Sequence, residues 1–75
     1  MSRASPELVR EVYAKYRRLL IKIPGVFIVM PDYEEGCIVV YVESEEAAKR
    51  VREAVGEALE GVPVKIIIGQ PVRVL

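Results

Sequence analysis

Seventy-five residues, 52% of them hydrophobic, with 11 basic and 11 acidic side chains and a formal net charge of zero, bound this protein tightly. The length allows one domain, residues 1–75, near the lower limit for a chain that must bury its own core. The zero balance gives no overall pull toward nucleic acid or anionic membrane, and the absence of histidine removes the commonest general base and metal ligand.

Ser5-Pro6-Glu7 predicts the start of a first helix, with Ser5 as N-cap, Pro6 at the first helical position and an acid in the first turn. Apolar residues then recur at helical spacing from Leu8 and Val9 through Val12, Tyr13 and Tyr16 to Leu19 and Leu20. Glu7–Arg10 and Glu11–Lys15 are same-face pairs, worth about 0.2–0.5 kcal/mol each. Ile23-Pro24-Gly25 ends the helix, because proline disfavours helical geometry before it and glycine permits a sharp turn. Val26 to Met30 reads as a strand, Pro31 to Gly36 as a polar hairpin loop, and Cys37 to Glu43 as the returning strand. Ser44 caps a second helix with Glu45 and Glu46 in its first turn. Its apolar stripe runs from Ala47 through Val51 and Val55 to Leu59, with Gly61 as the expected stop. Val62 to Ile68 makes a third strand, and Gly69-Gln70-Pro71 can turn the chain into a short fourth, Val72 to Leu75.

The expected fold class is therefore α+β: two helices on one face of a three- or four-stranded sheet, in the order αββαβ with a final β. A ferredoxin-like sandwich runs βαββαβ, and moving its first strand to the C-terminus gives this order. No repeat, linker or low-complexity segment breaks the chain.

"GCIVVYVESEEAAKRVREAV", followed by "LEGVPVKI", resembles the second half of an RNA-recognition motif, and "ELVREVYAKY" resembles that family's first helix. The resemblance implies a base-stacking surface on the second strand, where aromatic residues follow a glycine by one and three positions. Here those positions hold Cys37 and Val39, and the residue before Gly36 is the acid Glu35 rather than a base. Tyr41 alone remains as an aromatic on that face, against the two or three bases such platforms stack. The tail "LEGVPVKIIIGQPVRVL" also resembles the end of a small segment that precedes trypsin-like domains in some bacterial proteins, and it brings no catalytic residue with it.

Enzymatic chemistry has no evident carrier. Cys37 lacks a histidine to activate it, the asparagine that acylphosphatases of this fold require is missing, and so is the Cys-x-x-Cys of heavy-metal-binding relatives. Asp32, Glu34 and Glu35 in the hairpin loop read as a solvated turn rather than a cation site. No catalytic, cofactor or metal residue is expected. Charge is nonetheless uneven. Residues 1–24 carry Arg3, Arg10, Lys15, Arg17, Arg18 and Lys22 against Glu7 and Glu11, whereas residues 31–46 carry six acids and no base. A basic first-helix region leaves a nucleic-acid-binding domain as the alternative function.

One lone cysteine suits a reducing compartment. No apolar run approaches membrane-spanning length and no signal-peptide core opens the chain, so a soluble, cytoplasmic protein is expected. His, Asn, Thr and Trp are absent and Gln occurs once. A thermostable hyperthermophile protein and a designed sequence of idealised parts, the latter with no function beyond folding, both fit that composition.

The second strand is apolar on both faces. If Ile38, Val40 and Val42 meet the helices, then Cys37, Val39 and Tyr41 face away, joined by Phe27, Val29 and Ile67 if their strands keep register. An apolar outer face of this kind marks an interaction surface. The expected function is a non-catalytic module that self-associates, as a homodimer, through this sheet face or an edge strand.

Overall fold

The structure, a computed structural model, describes residues 4–69. Its first helix, α1 (Pro6–Ile21), starts where the sequence predicts: the Ser5 hydroxyl accepts the Leu8 N–H at 3.2 Å and Pro6 occupies the first turn. Val9, Val12 and Leu20 point into the core from this helix, while Leu19, on its outer side, stays 50% exposed. The turn into β1 (Val26–Asp32) needs Gly25. Its φ is +91°, and a Cβ there would stand 2.5 Å from the Ala47 Cβ.

The strand β1 pairs antiparallel with β2 (Cys37–Val42), and Asp32 faces Cys37 at the end of the ladder. It thus runs two residues further than the sequence predicts, through Pro31. Proline is tolerable because β1 is an edge strand, where a missing donor costs no ladder bond. Four residues, Tyr33 to Gly36, remain as the connection. The Asp32 carbonyl accepts the Gly36 N–H at 2.9 Å and its Oδ1 accepts the Glu35 N–H at 3.1 Å, so the loop is held by the residue that opens it.

Helix α2 (Glu45–Val55) is capped by the Ser44 hydroxyl, which accepts the Ala47 N–H at 3.2 Å. It ends earlier than expected. Gly56 takes φ +72° and stops the helix, and Ala58–Leu59 form a short strand, β3, rather than a last helical turn. Glu60 at φ +50° and Gly61 at φ +89° then make a two-residue turn into β4 (Val62–Ile68). Two consecutive positive φ values match the turn that best fits the twist of a hairpin. Gly61 is therefore a hairpin residue, not a helix stop. Leu59 is buried all the same, now from a strand.

The fold is α+β, two helices with a four-stranded mixed sheet, in the order αββαββ. The strands lie β1-β2-β4-β3, with β2 and β4 parallel and directly bonded across the α2 crossover. A ferredoxin-like sandwich instead splits this parallel pair with a strand between the two. The order along the chain is as expected, while the neighbour relation is that of an unsplit βαβ unit. The fourth strand of the sheet is β3, ahead of β4. The stretch Val72 to Leu75, where the sequence predicts a final strand, lies outside the described residues.

The core forms between the helices and one face of the sheet. Ile38, Val40 and Val42 are fully buried there against Val9, Val12, Leu20, Ala47 and Val51, with Val62 and Val64 from β4. No buried side-chain polar atom among the described residues lacks a partner. Four hydrogen bonds fasten the layers. The Tyr13 hydroxyl donates to the Val29 carbonyl at 3.2 Å, and Arg50 donates to the Pro24 carbonyl at 3.2 Å. Glu60 in the hairpin turn accepts from Lys15 Nζ at 2.7 Å and from the Tyr16 hydroxyl at 2.8 Å.

Candidate interaction surface

Directly paired residues in a sheet send their side chains to the same face. The register therefore sorts every strand residue once Ile38, Val40 and Val42 are known to face the helices. On the opposite, open face, Ile28 of β1 stands beside Tyr41 of β2, which stands beside Ile67 of β4. The next row is Met30, Val39 and Lys65. Asp32 and Cys37 begin the third, nearest the hairpin loop.

Cys37, Val39, Tyr41 and Ile67 thus share the open face, as the sequence predicts. Val29 and Phe27 do not join them. Val29 pairs with Val40 and packs against the core from the helix side. The cause is a break in register between Val26 and Ile28, where β1 bulges at Phe27. One extra residue shifts the alternation by one, so Ile28 and Met30 take the outward positions that strict alternation gives to Phe27 and Val29. Phe27, 38% exposed, instead borders a hollow of about 310 Å³ between β1 and α1, together with Tyr13, Arg17, Ile21 and the neighbouring Ile28 and Val29 at the strand's edge.

Exposure across the face is graded. Met30 and Ile28 on the edge strand are 43% and 37% exposed, whereas Val39 and Cys37 on the interior strand are 7% and 6%. The short side chains of β2 lie in a trough between longer neighbours. That trough opens into a hollow of about 520 Å³ toward the hairpin loop, bordered by Met30, Asp32, Tyr33, Tyr41, Lys65 and Ile67. Asp32, Glu34 and Lys65 bring charge to its lining, beside the apolar Met30, Val39 and Ile67.

The Cys37 thiol is pushed above its ordinary pKa, first by burial and then by the Asp32 carboxylate; Lys65 opposes and Glu35 reinforces the shift. A thiol so placed is a small apolar floor residue with little thiolate character at neutral pH. Among the described residues, no group of three or more His, Cys, Asp or Glu side chains converges in a way that could hold a metal ion. No helix among them is long and apolar enough to cross a membrane.

The basic residues of α1 do not gather into one stripe. By the helical period they spread over about half the circumference, from Arg17 and Arg10 through Arg18 to Lys22 and Lys15. Lys15 is engaged with Glu60, which lowers the Glu60 pKa and raises that of Lys15, in each case chiefly through the hydrogen bond between them.

Neither a protein-family model, a curated protein nor a solved structure matches this chain. The surface itself is thus the ground for any functional reading.

Proposed function

We propose that this domain is a non-catalytic interaction module that associates with a second copy of itself through the open face of its sheet. One observation carries the reading: Ile28, Met30, Val39, Tyr41 and Ile67 form a contiguous apolar surface on the side away from both helices. An antiparallel or mixed sheet with one solvated face ordinarily alternates apolar-in with polar-out. Here the outward positions are apolar in all three long strands except at Asp32 on β1 and Lys65 on β4.

The face is a better candidate than the edge of β1. That edge carries a bulge at Phe27 and a proline at Pro31, and the Tyr13 hydroxyl already takes the Val29 carbonyl. Bulges and prolines are the devices that blunt strand-to-strand pairing. Face-to-face packing needs no free backbone group.

Light scattering or sedimentation across a concentration series tests the proposal. The wild-type chain is expected to move from monomer to dimer. Met30→Glu, at a site already 43% exposed in the monomer, is expected to give a folded monomer at every concentration. A wild-type chain that stays monomeric throughout would sink the reading.

A further inference from the structure

The open face carries charge at two places, and their arrangement bears on how two copies can meet. Lys65 stands on β4 in the row of Met30 and Val39, and Asp32 on β1 in the row of Cys37. Two strand spacings and one row separate them within a protomer, roughly 12 Å, beyond direct pairing. Both act on the Cys37 thiol, which lies between them.

Two sheets can stack face to face about a two-fold axis lying between them in two limiting ways. With the axis running across the strands, β4 lies over its own equivalent and Lys65 meets the partner's Lys65. Two like charges would then face each other with no opposite charge between them, an unfavourable arrangement. With the axis running along β2, β1 lies over the other copy's β4. The Lys65 stem then covers the partner's Met30, and its ammonium reaches the row of the partner's Asp32. Val39 sits on the axis in either case, and Ile28 lies over the partner's Ile67 in the second.

We infer that two copies pair about a two-fold axis parallel to β2, so that Lys65 of each copy forms an ion pair with the partner's Asp32. The inference rests on the open face being the self-association surface. Apolar contact supplies the adhesion and the two symmetric ion pairs set the orientation, the division of labour common at interfaces. Three strands about 4.8 Å apart and rows roughly 6.6 Å apart give a patch on the order of 300 Å² in projection. That is small beside the ~800 Å² per partner of a standard interface, so the dimer is a concentration-dependent one.

A charge swap tests the orientation, with the dimer dissociation constant read by sedimentation on the full chain at low salt. Lys65→Glu and Asp32→Lys are each expected to weaken the dimer about tenfold or more, and the double variant to recover most of that loss. Asp32→Asn serves as a companion, because it keeps an acceptor oxygen for the Glu35 N–H and removes only the charge. It is expected to weaken the dimer in the wild-type background and to have no such effect in Lys65→Met. A dimer that Met30→Glu dissolves but the double swap does not recover overturns the orientation and leaves the face standing. A dimer indifferent to Met30→Glu, or a wild-type monomer, overturns both.

Discussion

Gly25→Ala is the substitution whose cost can best be worked out from the geometry. Gly25 sits at φ +91°, and an added Cβ would lie 2.5 Å from the Ala47 Cβ. Two costs follow. The backbone conformation is one that L side chains resist by about 1–2 kcal/mol. The steric conflict is with a fully buried residue on α2, so the helix must move, and overpacking of this kind costs about 1–3 kcal/mol. Gly61 separates the two, since it has nearly the same φ, +89°, with nothing within 4 Å of an added Cβ. Gly61→Ala should therefore lose the backbone part alone. Urea denaturation of both variants should place Gly25→Ala about 1–3 kcal/mol below Gly61→Ala, a large share of the ~4–11 kcal/mol expected for a domain of this length. Ala47→Gly closes the cycle: in that background the extra loss at Gly25 should vanish, whatever the glycine costs α2 by itself. Equal losses at Gly25 and Gly61, or a penalty that survives Ala47→Gly, would refute the close approach of the β1 turn to α2.

Leu20→Ala should cost about 2–5 kcal/mol, because Leu20 is fully buried, while Leu19→Ala next to it, half exposed, should cost under about 1 kcal/mol; chemical denaturation of the two variants distinguishes them. The Glu60 contact should appear in the pH dependence of stability. Its folded pKa lies below the ordinary carboxylate value, so its contribution is present above that value and lost as pH falls through the folded pKa. Lys15 has a raised pKa, so its share is present below the ordinary lysine value and lost as pH rises through the folded one. Wild type and Glu60→Gln should thus differ most near neutrality and converge in acid and in strong alkali, as thermal melts across pH will read. Cys37 should react slowly with iodoacetamide in the native protein and fully in urea, given its 6% exposure and raised pKa; rapid native labelling would contradict its place in the trough.

Local signals carried much of the fold. Ser5 and Ser44 each stand one residue before an acid- or proline-led helix, and both hydroxyls cap the backbone as that pattern requires. The end of α2 was harder to read for a physical reason. Leu59 continues the helical spacing of Ala47, Val51 and Val55, so an apolar residue in register with a helix turns out to be buried from a strand. The signal against the longer helix was the pair of glycines five residues apart, Gly56 and Gly61, which suits a helix stop followed by a tight hairpin. Lys15 and Tyr16 meet Glu60 across more than forty residues of chain. No spacing rule reaches that far, and only the docking of the β3–β4 hairpin against α1 makes the contact.

The open face shows where alternation stops being informative. Val26 to Met30 is apolar at every position, so its pattern does not say which residues face inward. Alternation counted from Phe27 chooses one set, and the bulge at Phe27 chooses the other. In β2, alternation predicts the faces correctly because the strand is uninterrupted and paired on both sides, which leaves no freedom to slip without exposing Ile38, Val40 and Val42. An edge strand has a partner on one side only and can absorb an extra residue there. The consequence reaches function: the bulge turns Val29 toward the core and puts Ile28 and Met30 on the outer surface. Deleting Phe27 should remove the bulge and leave the register as it is, with Val26 opposite Val42 and Ile28 opposite Tyr41, so that Ile28 and Met30 stay on the outer surface. Because Ile28 and Met30 are the most exposed apolar members of the face and keep their places, self-association should survive in that variant, as sedimentation will read; a folded monomer would contradict the register of β1.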